Sequence, residues 1–343
     1  MRSCEPTPTP MPGCCRRAPP AEPSEPSAPE RPAPTPRPAA MTASMPSRAT
    51  QWHPMGLTAV SGAVVCWGFG NILVRQVDLG AVQLAFWRLV LSSLVYGGVV
   101  LARRGRVTWP QVRACLPSAV MLGLWYIAFY QSIKSTTVTN VAMIVSLVPV
   151  VLIWAGVRRF AEPVSLKLLA LVATALAGTA LVLFGSASVP TWSLRGDGLA
   201  VLALLFFSAQ MALAKEARQK VGALEFQAVA WIVAMVVVTP PAVLTGGGLS
   251  LPDATAWLWV AALVAVPGSG HLLMNWAHKH VRITVSSMAL LGAPPLTMVL
   301  AAIFLDEPIK IAQVAGGVIV IAALTGVIRR DLQITARYST GIG

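Results

Sequence analysis

The sequence predicts an all-α integral membrane protein of about ten transmembrane helices arranged as two inverted five-helix repeats. Three observations predict it: a composition too apolar for water, a succession of apolar runs each long enough to cross a bilayer, and a self-similarity at a shift of 145 residues. Of the 343 residues 55% are hydrophobic and 11% charged, whereas a soluble domain carries about a quarter charged. The net charge of +13 does not point to nucleic acid, because the basic residues sit in short gaps between apolar runs rather than on an aromatic-interleaved face. Cys4, Cys14, Cys15, Cys66 and Cys115 form neither a disulfide framework nor a zinc spacing. No metal or other cofactor is expected.

Residues 1–54 hold about half of the chain's 27 prolines, mixed with Ser, Thr, Ala, Glu and Arg. Such a segment lacks the apolar mass to fold, so a disordered tail is expected. It also lacks the apolar stretch of a secretory signal, and Met41, Met45 and Met55 are alternative translation starts. The pair Cys14-Cys15 beside Arg16-Arg17 reads as tail composition rather than an acylation site.

From Leu57 onward, apolar runs cover roughly 57–77, 82–102, 113–133, 136–157, 165–185, 198–214, 224–245, 254–274, 283–305 and 309–328. Each suffices, at 1.5 Å per residue, to cross about 30 Å of hydrocarbon. They are continuously apolar, which selects helices over the alternating strands of a membrane barrel. Outside the tail, fifteen Lys and Arg fall in the gaps on one side of the resulting zigzag and four (Arg75, Lys134, Arg195, Lys310) on the other, with Arg88 inside a span. Lys and Arg stay on the cytoplasmic side, so both termini are expected in the cytoplasm of a multi-pass protein of the cell (inner) membrane.

At the shift of 145 residues, Lys134 meets Lys279, Thr139 meets Thr284, Met143 meets Met288, Pro149 meets Pro294, and Glu162-Pro163 meets Glu307-Pro308. Five spans per copy is an odd number, which forces the copies into opposite orientations across the bilayer. The layout is a tail (1–54), a first repeat (55–190), a second repeat (191–330) and a short cytoplasmic tail (331–343). Two similar halves in opposite orientation can exchange conformations, which is the architecture of alternating access.

Trp67-Gly68 in span one, Phe86-Trp87-Arg88 in span two, Pro149 in span four, and Glu162-Pro163 and Glu307-Pro308 after spans four and nine resemble the EamA family of the drug/metabolite transporter superfamily. The resemblance covers about residues 57–328 and implies a ten-helix carrier of metabolites, often an exporter, with a central cavity between its halves. The chain departs from that pattern in the tandem Pro294-Pro295 and in the lack of a Trp-Gly pair in span six.

Residues that could carry transport are polar or helix-bending groups inside spans. Arg88 is the fixed charge well inside a span; it either faces a cavity and attracts an anionic group such as a carboxylate, or it holds span two in register. Trp67 and Asn71 in span one, and Tyr126 with Tyr130 in span three, add polar and aromatic character. His271 and Asn275 in span eight stand at the positions equivalent to Tyr126 and Tyr130, four residues apart on one helix face. These would line a pathway from both halves, or serve as interfacial aromatics and interhelical hydrogen bonds. Pro149, and Pro294 with Pro295, are hinge or gating candidates because proline removes a donor and clashes with the preceding turn. Glu162 and Glu307 suit the first turn of the helices that follow them, with proton coupling as the other reading of these interfacial carboxylates.

The sequence contains no Walker loop, paired intramembrane carboxylates or catalytic-triad spacing, so no catalytic residue is expected. The expected function is secondary transport of a small-molecule substrate, an amino acid or related compound, in a lipid bilayer, with export and a homodimer compatible with the sequence. The alternative is a non-transporting receptor or assembly scaffold with a dry interior.

Overall fold

The structure, a computed structural model, describes residues 54–186, 193–244, 249–306 and 308–339. The expected tail, the Cys14-Cys15 pair and Glu307 lie outside the described residues. Among the described residues, twelve α-helices follow in order: α1 (Pro54–Arg75), α2 (Ala81–Ala102), α3 (Trp109–Ser135), α4 (Val138–Val145), α5 (Val148–Phe160), α6 (Leu166–Ser186), α7 (Leu194–Arg218), α8 (Ala223–Leu244), α9 (Ala254–Ala277), α10 (Ile283–Ala289), α11 (Ala293–Leu305) and α12 (Ile311–Ser339). No strand occurs among the described residues. Among the described residues, ten stretches are long and apolar enough to cross a membrane, from Met55–Val74 to Ile311–Arg330. Span four is α4 plus α5, and span nine is α10 and α11 joined by a 3-10 turn, Leu290–Gly292.

Both expected mid-span bends are thus interruptions of the helix. Pro149 and Pro294 each stand in the first turn of a second half-helix, where the missing N–H would be unpaired anyway and the ring cannot clash with a continuing helix. The chain spends its proline where the ladder already ends.

The repeat is visible in the backbone. Helices α3, α4, α5 and α6 begin 145 residues before α9, α10, α11 and α12. The N-caps Thr108 and Asp253 keep that spacing, as do the left-handed C-caps Ala161 (φ 49°) and Asp306 (φ 53°) that close α5 and α11. Spans one and two run at slightly smaller offsets, 140 and 142 residues. The Asp253 carboxylate accepts from Ala256 N at 2.6 Å, while Thr108 N donates to the Gln111 side chain at 2.9 Å. Two different caps fix the same helix start.

The heaviest packing runs between the repeats: α1 on α9 and α11, α3 on α7 and α8, α2 on α8, and α6 on α12. Small residues allow it. A Cβ on Gly178 of α6 would stand 2.8 Å from the Gly316 carbonyl of α12, and one on Gly270 of α9 would stand 3.1 Å from the Ala63 carbonyl of α1. Large apolar side chains such as Leu94, Leu101, Trp154, Leu202, Leu258 and Ile321 remain exposed. On a helix bundle this apolar, this outward face is what lipid covers.

Candidate functional site

Helices from both repeats meet at a cluster of aromatic and polar side chains near mid-span. Tyr126 of α3 stacks with Tyr130 at 5.8 Å and lies 6.3 Å from Trp231 of α8, ring to ring. His271 of α9 is edge-on to Trp231 at 5.1 Å and to Trp67 of α1 at 5.0 Å. The Arg88 guanidinium, from α2, stands 5.8 Å from the centre of the Tyr126 ring and within electrostatic reach of Tyr130, Tyr96 and His271. Repeat one thus contributes Trp67, Arg88, Tyr126 and Tyr130, and repeat two Trp231 and His271.

Arg88, Tyr126, Tyr130 and Trp231 are buried, Trp67 and His271 are half-buried, and the polar atoms of the cluster are not hydrogen-bond saturated. Arg88 Nε, Tyr126 Oη, Trp67 Nε1 and Trp231 Nε1 have no hydrogen-bond partner among the described residues, and neither has Ser92 Oγ one turn along α2. A buried polar group left unpaired costs about 1–3 kcal/mol. Several such groups in one place call for a ligand or water between them. Arg and Trp nitrogens can only donate, so the cluster is rich in donors and aromatic faces. It suits an acceptor-bearing, partly flat solute.

Arg88, Ser92 and Tyr96 fall at four-residue intervals and make a polar stripe along α2. At its far end Tyr96 lines a groove of about 930 Å³ between α1, α2 and α9, together with Ser269, Leu272 and Trp276, and with Arg103 at the lysine- and arginine-rich end. The seam related to this one by the repeat, between α3 and α8, is shut. There a Cβ on Gly123 would come within 2.6 Å of Val237.

The remaining expected residues take other places. Asn71 donates to Thr297 Oγ1 of α11 at 3.0 Å, on the solvent- or lipid-accessible surface. Asn275 is buried, donates to Gln227 Oε1, and its carbonyl accepts from Arg218 Nε at 2.7 Å. Pro149, Pro294 and Pro295 stand at the interrupted spans, with Pro149 and Pro295 buried. The groups near the cluster that sequence reasoning missed are Trp231, Ser92 and Tyr96. Gln227, four residues before Trp231 in a helix whose other polar side chains are Glu225 in the first turn and Thr239 near the end, was the available signal.

Glu162 differs from expectation. Its carboxylate does not serve the helix that follows it; it accepts from Ile283 N (2.7 Å), Thr284 N (3.1 Å) and Thr284 Oγ1 (2.6 Å) at the start of α10, in the other repeat. The left-handed turn at Ala161, with Glu162 N bonded back to the Gly156 carbonyl at 3.0 Å, closes α5 and redirects the chain. No group of three or more His, Cys, Asp or Glu that could hold a metal occurs among the described residues.

A solved structure described only as a crystal structure of a protein is similar to this chain at a TM-score of 0.71 and 15% identity, over 82% of this chain and 99% of that one. At that identity the likeness speaks for the fold. Comparison with curated proteins gives no match. The profile of the EamA-like transporter family matches twice, over residues 54–184 and again over 194–329. With one match to each half of its ten-span bundle, the chain belongs to the EamA-like transporter family, as a multi-pass membrane transporter of the drug/metabolite type.

Proposed function

We propose that this transporter is a secondary carrier that moves a small carboxylate-bearing metabolite, an amino acid or related compound, by alternating access between its two repeats. The observation that carries the reading is the unpaired, buried Arg88 Nε set against Tyr126 in a donor-rich aromatic cluster drawn from both halves. A buried cation in a membrane needs a counter-charge or water. A carboxylate on Arg88, with the solute's body against Tyr126, Trp231 and Trp67, supplies the missing acceptor and covers the orphaned donors. Trp67, Arg88, Tyr126, Tyr130 and His271 form this site, while Asn71 and Asn275 tie helices together. Pro149, Pro294 and Pro295 act as hinges where spans four and nine are interrupted.

The lysine and arginine bias supports both termini in the cytoplasm of an inner membrane, and the family resemblance favours export. Nothing favours the receptor or scaffold alternative. Counterflow into proteoliposomes preloaded from a panel of amino acids and other small carboxylates tests the carrier. Saturable exchange of at least one member is expected, and absence of saturable uptake across the panel overturns the reading.

A further inference from the structure

We propose that Glu162 is a positioning residue for transport: it latches the lysine- and arginine-rich end shut by pinning α10, the first half of interrupted span nine, to repeat one. The proposal rests on the alternating-access reading above. One carboxylate on the turn after α5 binds two backbone N–H groups and the Thr284 hydroxyl at the start of α10. Lys215, near the end of α7, places its Nζ 3.8 Å from the same carboxylate and donates to the Val281 carbonyl in the turn before α10. Three segments from two repeats therefore converge on one side chain.

Burial gives the latch its strength. Glu162, Thr284 and Lys215 are 8%, 5% and 9% exposed, and charge-assisted hydrogen bonds away from water are the strong ones. Gly156 makes room for it, since a Cβ there would stand 3.2 Å from both Glu162 Oε2 and Thr284 Oγ1. The nearby pair Arg159–Glu216, at 3.1 Å, also joins the repeats, but it is half exposed and such pairs contribute little.

At the opposite end, the ties between repeats are less buried. Gln83 and Trp87 donate to Ser250, and Thr136 and Asn140 donate to Asp197. The half-helix α4, the counterpart of α10, has its own Thr137 hydroxyl accepting from Asn140 N at 3.2 Å. The mechanical consequence is specific. The 3-10 turn at Leu290–Gly292 separates α10 from α11, so α10 can move as a unit, and any movement that opens this end must break Glu162's bonds.

The test reads accessibility rather than transport. Ser287, fully buried on α10, and Asn71, exposed toward the other end, are each replaced by cysteine in chains without the native cysteines, and a membrane-impermeant maleimide is applied from the corresponding face. Glu162→Gln is expected to raise labelling at Ser287→Cys by about tenfold or more, the size of one lost charged hydrogen bond, and to lower labelling at Asn71→Cys as the far end closes. Lys215→Met should act in the same direction and Arg159→Gln should change neither rate. Unchanged labelling at Ser287→Cys, or a rise at both ends together, overturns the latch, the latter because it reports general loosening. A labelling shift without any counterflow leaves the latch standing and overturns the carrier reading instead.

Discussion

In repeat one, the helix that starts after Thr108 carries Tyr126 and Tyr130 on its inner face; in repeat two, the helix that starts after Asp253 carries His271 and Asn275 at the same positions. From this helix onward the helix starts are duplicated to the residue, while the chemistry is divided. Tyr126 and His271 both reach the central cluster, but Tyr130 stays with Arg88 whereas Asn275 is occupied by Gln227 and Arg218. The cation is likewise one-sided: Arg88 lies within α2, and the charge of its counterpart α8 is Glu225 in the first turn. A symmetric skeleton lets the protein invert; the unequal side chains hold the solute in a fixed orientation through that inversion. Symmetry serves motion, and asymmetry serves recognition.

The sharpest way to break this comparison is to remove its one-sided charge. Arg88→Ala should weaken transport about 10- to 100-fold, the equivalent of losing a charged hydrogen bond of about 1.5–3 kcal/mol, with insertion and abundance retained. Counterflow normalised to membrane protein checks it. A collapse of abundance instead would assign Arg88 to span-two packing.

A smaller effect tests whether the division of Tyr and His between repeats matters. His271→Tyr alone places a larger ring between Trp67 and Trp231, and should raise the apparent KM about tenfold through overpacking and a lost polar edge. Adding Tyr126→His frees volume on the other side of Trp231, which packs against both rings, and should restore part of the loss, because residues that share a packed neighbour couple by about 0.5–3 kcal/mol. Strict additivity of the two changes would mean the positions do not share a solute.

Much of this was legible in the sequence, for identifiable reasons. Spans read well because an apolar run of bilayer length has few alternatives, and the shift of 145 residues survives as matched caps at 108 and 253 and at 161 and 306. Trp67, Arg88, Tyr126, Tyr130 and His271 stood out as polar or aromatic groups in apolar helices, and the structure brings them together. Trp231 did not, since a tryptophan in an apolar helix equally suits lipid. Asn71 and Asn275 have the polarity of pathway residues, but partners 226 and 48 residues away make them ties between helices. Glu162 acts across 121 residues, a distance no local rule of helix capping spans. Proline positions announce a disturbance in spans four and nine, yet a kink and a full interruption differ only in whether the ladder resumes.

The interruption yields a milder prediction about the two repeats. Span nine carries Pro294-Pro295 where span four carries Pro149 alone. Replacing Pro294 and Pro295 with Ala lets α10 and α11 join into one helix, since alanine restores the missing donors at little cost. Exchange should slow by about an order of magnitude or less with binding unchanged, as expected when a hinge rather than a contact is altered. Pro149→Ala should do the same less strongly. A change in KM with turnover preserved would place these prolines at the solute instead.

The smallest expected effect concerns the end that Glu162 closes. His278, just beyond α9, is 1% exposed; its counterpart in repeat one is Ile133, so only this end carries a buried imidazole at that position. Burial, and then the neighbouring Lys215 and Arg218, hold His278 down to about 3, against about 6.5 in an unfolded chain. Between those values the unfolded state binds a proton that the folded state does not. Stability is therefore fully present above about pH 6.5 and falls as pH drops below it, by about 1.4 kcal/mol per unit. The thermal midpoint in detergent should decline from pH 7 to pH 5. His278→Gln should flatten that decline, because an amide of similar size has no proton to gain, and an undiminished slope would mean that other groups cause it.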